Sequence, residues 1–121
     1  MSHFANWTMA KVQAHNARVA KEPPRTDGVT DESELHNEIL EECRVRGWIA
    51  LHGSMAQATG RTLGEFDFTI LADGGRVFFI ECKTRTGKLS PDQFALHHWA
   101  RHLGHSAHVV RNMDQFREIT K

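Results

Sequence analysis

Residues 63–83 have the sequence LGEFDFTILADGGRVFFIECK, in which two runs of β-branched and aromatic residues flank Asp73-Gly74-Gly75. Runs of this kind, separated by a glycine-rich turn, predict the two strands of a β-hairpin. A loop centred on this turn sets Asp67 directly across from Glu81. Side chains alternate with period two, so Lys83 shares the face of Glu81.

Two acids that face each other across paired strands repel, so a cation is expected between Asp67 and Glu81. A divalent metal ion held by oxygen ligands is the natural candidate. The alternative is a solvated sheet face, on which Lys83 would pair with Glu65 and the charges would have no further role. The same face is apolar toward the turn, which favours a site at the rim of a core.

Composition limits the possible classes of protein. The chain has 121 residues, enough for one domain with a single core, and its 15 basic and 15 acidic residues cancel. Nucleic acid would therefore have to bind to a local basic patch. Cys43 and Cys82 fall in a predicted helix and strand, which suits buried thiols in a reducing compartment. No apolar stretch is long enough to cross a membrane and no secretory leader is seen, so a cytoplasmic, intracellular protein is expected.

The chain divides near residue 30. Residues 1–29 are predicted to form an N-terminal helical appendage that ends at Pro23-Pro24, followed by a linker. Residues 30–121 form the domain proper. Its first helix is expected to be capped by Thr30 or Asp31 and to run to about Arg46, with Gly47 as the stop.

Glu32 falls at the centre of the apolar face of this first helix, which suggests a functional acid. A carboxylate in a first helical turn also favours the helix dipole whatever its function. Glu34 and Glu38 lie close enough in sequence to be alternatives.

The remaining pattern predicts a mixed sheet of about four strands flanked by helices, an α/β (α+β) fold in the order αβββαβα. Ser90, Pro91 and Gln93 have the spacing of an N-cap, a first helical position and a capping box. The other expected elements are strands at 48–52 and 106–110, a helix from Ser90 to Leu103 that stops at Gly104, and a closing helix at 113–119.

The chain contains a series of short motifs: Glu32 followed by Leu35, Gly47-Trp48, Gly64-x-x-Asp67, Glu81-x-Lys83, Gly87-Lys88-Leu89-Ser90-Pro91-x-Gln93 and Gly104. Together these motifs resemble the virus-type replication-repair nuclease (VRR-NUC) domain of the PD-(D/E)XK nuclease superfamily. The resemblance covers residues 32 to about 119 and implies a restriction-endonuclease-like core. An aspartate followed by Glu-x-Lys is common, but the Gly-Lys-Leu-Ser-Pro-x-Gln run in register makes the resemblance specific.

The resemblance implies metal-dependent hydrolysis of DNA with Mg²⁺ or Mn²⁺. Asp67, Glu81 and the backbone carbonyl of Cys82 would hold the ion, and Lys83 would orient the attacking water. Glu32 would reach the ion through water, and Gln93 would steady the site from its helix. Two positions depart from the family pattern: Phe66 stands in place of the usual proline, and His36 in place of the usual glutamine.

Substrate contacts are expected from Arg61, Arg85 and Lys88, with Arg44 and Arg46 as further candidates. No helix is aimed at the major groove, so structure-selective cutting of branched or junction DNA, as in replication, repair or recombination, is favoured over sequence-specific restriction. Junction cleavage needs two sites, which predicts a homodimer.

Two rival interpretations remain open. A noncatalytic nucleic-acid-binding module could keep the same scaffold, although the intact set Asp67, Glu81 and Lys83 favours an enzyme. His98 and His102 lie one helical turn apart and could bind zinc. Packing or surface histidines explain that pair better, because no third ligand lies in register.

Overall fold

The computed structural model describes residues 28–52 and 64–121. The elements are α1 (Glu32–Arg46), β1 (Ile49–Leu51), β2 (Phe68–Leu71), a 3₁₀ turn (Asp73–Gly75), β3 (Val77–Cys82), α2 (Pro91–His102), β4 (Ala107–Val110) and α3 (Met113–Ile119). The predicted order αβββαβα is confirmed. The helix predicted before residue 22 and the DNA contact predicted at Arg61 lie outside the described residues.

The four strands form one mixed sheet in the order β1-β2-β3-β4. The first two pairs are antiparallel, and β3 pairs with β4 in parallel, as expected when α2 forms the crossover. In β2 and β3, Phe68 pairs with Ile80 and Leu71 with Val77, which confirms the predicted hairpin register. The glycine-rich turn is also confirmed, since Gly74 and Gly75 have φ of 68° and 73°.

The helix ends follow the predicted capping signals. Asp31 accepts a hydrogen bond from the Ser33 amide at 2.9 Å, and Gly47 ends α1 in the left-handed region. Ser90 and Gln93 form the predicted capping box of α2. The strands are shorter than predicted, because β1 and β4 pair with their neighbours only over 49–51 and 107–110. Helix α2 ends at His102, one residue before the predicted Leu103.

One face of the sheet packs against α1 and α3. The buried core contains Leu35, Ile39 and Cys43 of α1, Phe68 and Ile70 of β2, Phe78, Ile80 and Cys82 of β3, and Phe116 of α3. Alternation along β3 directs Phe79 and Glu81 to the opposite face. Phe79 contacts the ring of Phe66 there, with centroids 5.3 Å apart.

Among the described residues, no helix is long and apolar enough to span a membrane. Both cysteines are buried free thiols, as predicted. Val29, which the sequence assigned to the linker, hydrogen-bonds to the domain: its amide donates to Arg111 O at 2.7 Å, and its carbonyl accepts from the Arg85 amide at 2.9 Å.

Candidate metal centre

Asp67 and Glu81 meet where β2 begins and β3 ends. Asp67 directly precedes β2, and its Oδ2 accepts a hydrogen bond from the Cys82 amide at 2.7 Å. The Glu81 side chain is buried, with 1% of its surface exposed. The solvated-face alternative is therefore wrong for this glutamate.

The two carboxyl groups lie close enough for each to shift the pKa of the other. Burial raises the pKa of Glu81, and the contact with Asp67 and the charge of Asp67 raise it further. Burial acts to raise the pKa of Asp67 as well, but its contacts with His36, Glu81 and the Cys82 amide outweigh burial and lower it. Glu81 is thus the protonated partner. Its buried Oε1 has no hydrogen-bond partner, so the pair carries an unsatisfied oxygen and one negative charge, which suits a cation.

His36 of α1 reaches the same point from the helix side. Its Nε2 lies 3.4 Å from Asp67 Oδ2, an ion-pair distance that lacks the geometry of a hydrogen bond, and this buried nitrogen has no hydrogen-bond partner. The ring edge packs on Phe68, with centroids 5.0 Å apart. The contact with Asp67 raises the pKa of His36 against the opposing effect of burial, and the charge of Glu32 adds to the rise.

Cys82 presents its side chain to this cluster. The thiol is fully buried, and burial, followed by the charges of Asp67 and Glu81, raises its pKa. One donor atom each from His36, Asp67 and Cys82 lie within 4.8 Å of one another. The sequence had assigned Cys82 a role through its backbone carbonyl only, and it had treated His36 only as a departure from the family pattern.

Of the three remaining predicted site residues, Glu32 and Lys83 act on this cluster through their charges. Glu32 is half-buried, and its charge acts on Glu81 and His36, whereas the alternatives Glu34 and Glu38 are exposed. Lys83 is half-buried, and its charge lowers the pKa of Glu81 against the larger effects that raise it.

Gln93 lies at the start of α2. Its Oε1 accepts a hydrogen bond from the Ser90 amide at 2.9 Å, so the side chain closes the capping box. Its described contact is therefore with the helix start and not with the two acids.

The basic turn after β3 carries Arg85 and Lys88, both exposed. Arg111, which the sequence analysis missed, holds this turn: its buried guanidinium donates to the carbonyls of Thr84 and Gly87. A buried arginine that pairs with backbone carbonyls leaves no local sequence signal. Arg44 and Arg46 are engaged along α1 with Glu41 and Glu42, each at 2.7 Å.

The burial of His97 in α2 was also not predicted from the sequence. This side chain is 3% exposed, its ring meets Phe66 edge-on with centroids 4.6 Å apart, and neither ring nitrogen has a hydrogen-bond partner. Burial lowers the pKa of His97 to about 4, and the charge of Arg101 contributes to the shift. His98 and His102, which the sequence left as a less favoured zinc pair, are exposed, and neither belongs to a group of three metal-binding side chains in the described part of the chain.

Comparison with known proteins supports the fold. No protein-family model matches the chain, and no curated protein matches it. A solved structure described as "VRR_NUC domain" superposes on it with a TM-score of 0.62 and 23% identity, over 74% of this chain and 92% of that chain. The chain has the mixed α+β, restriction-endonuclease-like fold of a VRR_NUC domain.

Proposed function

We propose that this chain is a metal-dependent nuclease of the VRR-NUC type that hydrolyses phosphodiester bonds in DNA. The observation that carries the proposal is the buried carboxyl pair. Glu81 is held against Asp67 with an unsatisfied oxygen, an arrangement that is costly for stability and useful for cation binding. The fold is that of a VRR_NUC domain, and the resemblance of the sequence motifs to that family implies that these two acids are metal ligands.

The metal would be Mg²⁺ or Mn²⁺, held by Asp67, Glu81 and the carbonyl of Cys82, with Glu32 contributing through water. When bound, such an ion lowers the pKa of water and stabilises charge on a phosphoryl group. The Lys83 ammonium, beside Glu81, would donate hydrogen bonds that orient the attacking water. Gln93 would act as a positioning residue by fixing the start of α2 against the site.

DNA would bind through its phosphates. Arg85 and Lys88 project from the turn that follows Lys83, so a strand held by this turn would pass next to the carboxyl pair. Arg61 would add a further contact. We propose that the preferred substrate is branched or junction DNA and that two copies of the chain act as a homodimer, each cutting one strand.

The test is a cleavage assay on supercoiled plasmid and on a four-way junction with Mg²⁺ or Mn²⁺. Wild-type protein should cut, and K83A and D67N should each lose roughly 100-fold or more of the rate, because each removes a group that acts on the reacting phosphate or its metal. K121A and D114N are matched controls at exposed positions and should cut like wild type. Light scattering of the same samples tests the homodimer.

A second measurement tests metal binding directly, so that a lack of cleavage caused by a lost metal site can be told from a lack of cleavage caused by the wrong DNA substrate. Mn²⁺ should raise the melting temperature of wild type and of D114N, and it should not raise that of D67N. The enzyme proposal fails if folded wild-type protein cuts neither DNA with either metal. DNA binding without cleavage would favour the noncatalytic binding module.

A further inference from the structure

We propose that His36, Asp67 and the thiolate of Cys82 form a site for Zn²⁺ or an ion of similar chemistry, which competes with Mg²⁺ for Asp67. The binding itself is independent of the proposed nuclease activity, and only its inhibitory effect rests on that activity. This zinc site is distinct from the proposed catalytic metal site, because its ligands include His36 and the Cys82 side chain, neither of which is a proposed ligand of the catalytic ion.

The spacing of the donor atoms fits a tetrahedral ion. With metal–nitrogen and metal–oxygen bonds of about 2.1 Å, a tetrahedron separates its ligand atoms by roughly 3.4 Å. His36 Nε2 lies 3.4 Å from Asp67 Oδ2. One donor atom from each of His36, Asp67 and Cys82 lies within 4.8 Å of the other two. A tetrahedral ion separates sulfur from a nitrogen or oxygen ligand by roughly 3.6 Å, so binding would draw the donors inward by up to about 1 Å.

The His36 ring forms an ion pair with Asp67 when it is protonated, and its Nε2 can bind a metal ion once that proton has left. Its Nε2 is buried, has no hydrogen-bond partner and approaches an acceptor oxygen without hydrogen-bond geometry. When Nε2 carries no proton, this nitrogen and the Asp67 oxygen are two donor atoms 3.4 Å apart, and a metal ion between them would satisfy both. Asp67 Oδ2 is fixed by the Cys82 amide and the His36 ring by Phe68, so the donors are already oriented.

The donor set also determines which ion binds. A nitrogen, an oxygen and a sulfur donor suit zinc, cobalt and cadmium, whereas magnesium prefers oxygen ligands alone. Binding displaces to solvent the proton of the Cys82 thiol and, where the ring is charged, the Nε2 proton of His36, so that the sulfur binds as thiolate and the imidazole as a neutral ligand. Three protein ligands leave a fourth position open to water.

The decisive experiment is a titration of DNA-free protein with Co²⁺, a spectroscopic substitute for Zn²⁺. Wild type should bind one equivalent and show the sulfur-to-cobalt charge-transfer absorption of a thiolate ligand, and Zn²⁺ should abolish that absorption by displacement. C82S, which keeps the size of the side chain, should lose the absorption. H36Q should lower the Zn²⁺ affinity by at least about tenfold.

C43A is the matched control, because Cys43 is the other buried free thiol and lies outside the donor group. It should bind Co²⁺ and Zn²⁺ like wild type. The proposal is overturned if wild type gives no charge-transfer absorption, or if C82S keeps it. Circular dichroism of each variant before the titration ensures that the folded protein is compared.

Inhibition is measured separately, as the Zn²⁺ concentration that halves Mg²⁺-dependent plasmid cleavage. C43A should match wild type in this assay, and wild-type cleavage should resume when Zn²⁺ is chelated. If DNA is cut but the cobalt absorption is absent, the zinc site fails and the nuclease stands. If the absorption is present but no DNA is cut, the nuclease fails and the zinc site stands.

Discussion

Among single residues, Glu81 is the one through which the site lowers the folding stability of the metal-free protein. Burial of this carboxyl group, which is 1% exposed, and its contact with Asp67 raise the pKa of Glu81, so the folded chain holds this proton more tightly than the unfolded chain does. The raised pKa gives stability that is present below the unfolded pKa and is lost as the pH rises. The metal-free protein is therefore expected to be less stable at pH 8 than at pH 5, as far as the ionisation of Glu81 is concerned.

E81Q should accordingly stabilise the metal-free protein at pH 8. The amide keeps the shape and removes the ionisation that favours unfolding, a gain on the order of 2 kcal/mol. Urea denaturation in EDTA measures the change, with the exposed E118Q as control. The gain should shrink toward pH 5. An E81Q protein no more stable than wild type at pH 8 would contradict the raised pKa.

The positions of Asp67 and Glu81 were predictable because the hairpin is local: the turn fixes the register, and the register fixes which side chains face each other. The approach of His36 to Asp67 was not predictable. It depends on how α1 packs across the sheet, and 31 positions separate the two residues, so no spacing rule connects them.

At the scale of elements, Gly64 is where the segment before β2 meets the first turn of α2. Its φ is +79°, and a Cβ built there would lie 2.5 Å from the carbonyl carbon of Asp92 and 2.7 Å from the Gln93 nitrogen. Backbone atoms cannot move aside as a flexible side chain would. The segment that carries Asp67 is thus held against the helix that carries Gln93.

G64A should destabilise the protein by more than G74A does. Both glycines have positive φ, but Gly74 has open space around its Cβ position, so G74A carries only the conformational cost of about 1 kcal/mol. Thermal denaturation of the two variants gives the comparison. G64A should also reduce the Mn²⁺-induced rise in melting temperature, whereas G74A should keep it. Equal destabilisation would show that α2 does not press on Gly64.

Helix ends were predictable at this scale and strand ends were not. Asp31, Gly47 and Ser90 act on backbone groups within a few residues, so the capping signals are contained in the local sequence. The ends of β1 and β4 depend on where neighbouring strands continue to pair. That information lies outside the segments themselves.

At the scale of the whole molecule, His97 reports on the packing of α2 over the sheet. The ring sits against Phe66 and is uncharged, because burial lowers its pKa to about 4. Below its unfolded pKa, near 6.5, the unfolded chain takes up a proton that the folded chain does not. Folding stability therefore falls as the pH drops from 6.5 toward 4, as far as His97 is concerned.

H97F should remove this part of the pH dependence. Relative to H97F, wild type should lose about 2 kcal/mol of unfolding free energy between pH 6.5 and 5. Chemical denaturation at several pH values, in EDTA, measures the difference. H102F, at an exposed position of the same helix, should follow wild type. Parallel curves for wild type and H97F would mean that His97 is charged or hydrated in the folded protein.

Position 82 is subject to two selections at once. The peptide backbone there belongs to the run Glu81-Cys82-Lys83, while the side chain belongs to the interior beneath α1. In a library randomised at residues 81–83, selection for folded protein alone should restrict position 82 to small apolar residues. Selection for nuclease activity should restrict positions 81 and 83. The middle residue of the motif, which carries no catalytic side chain, is thereby restricted by packing.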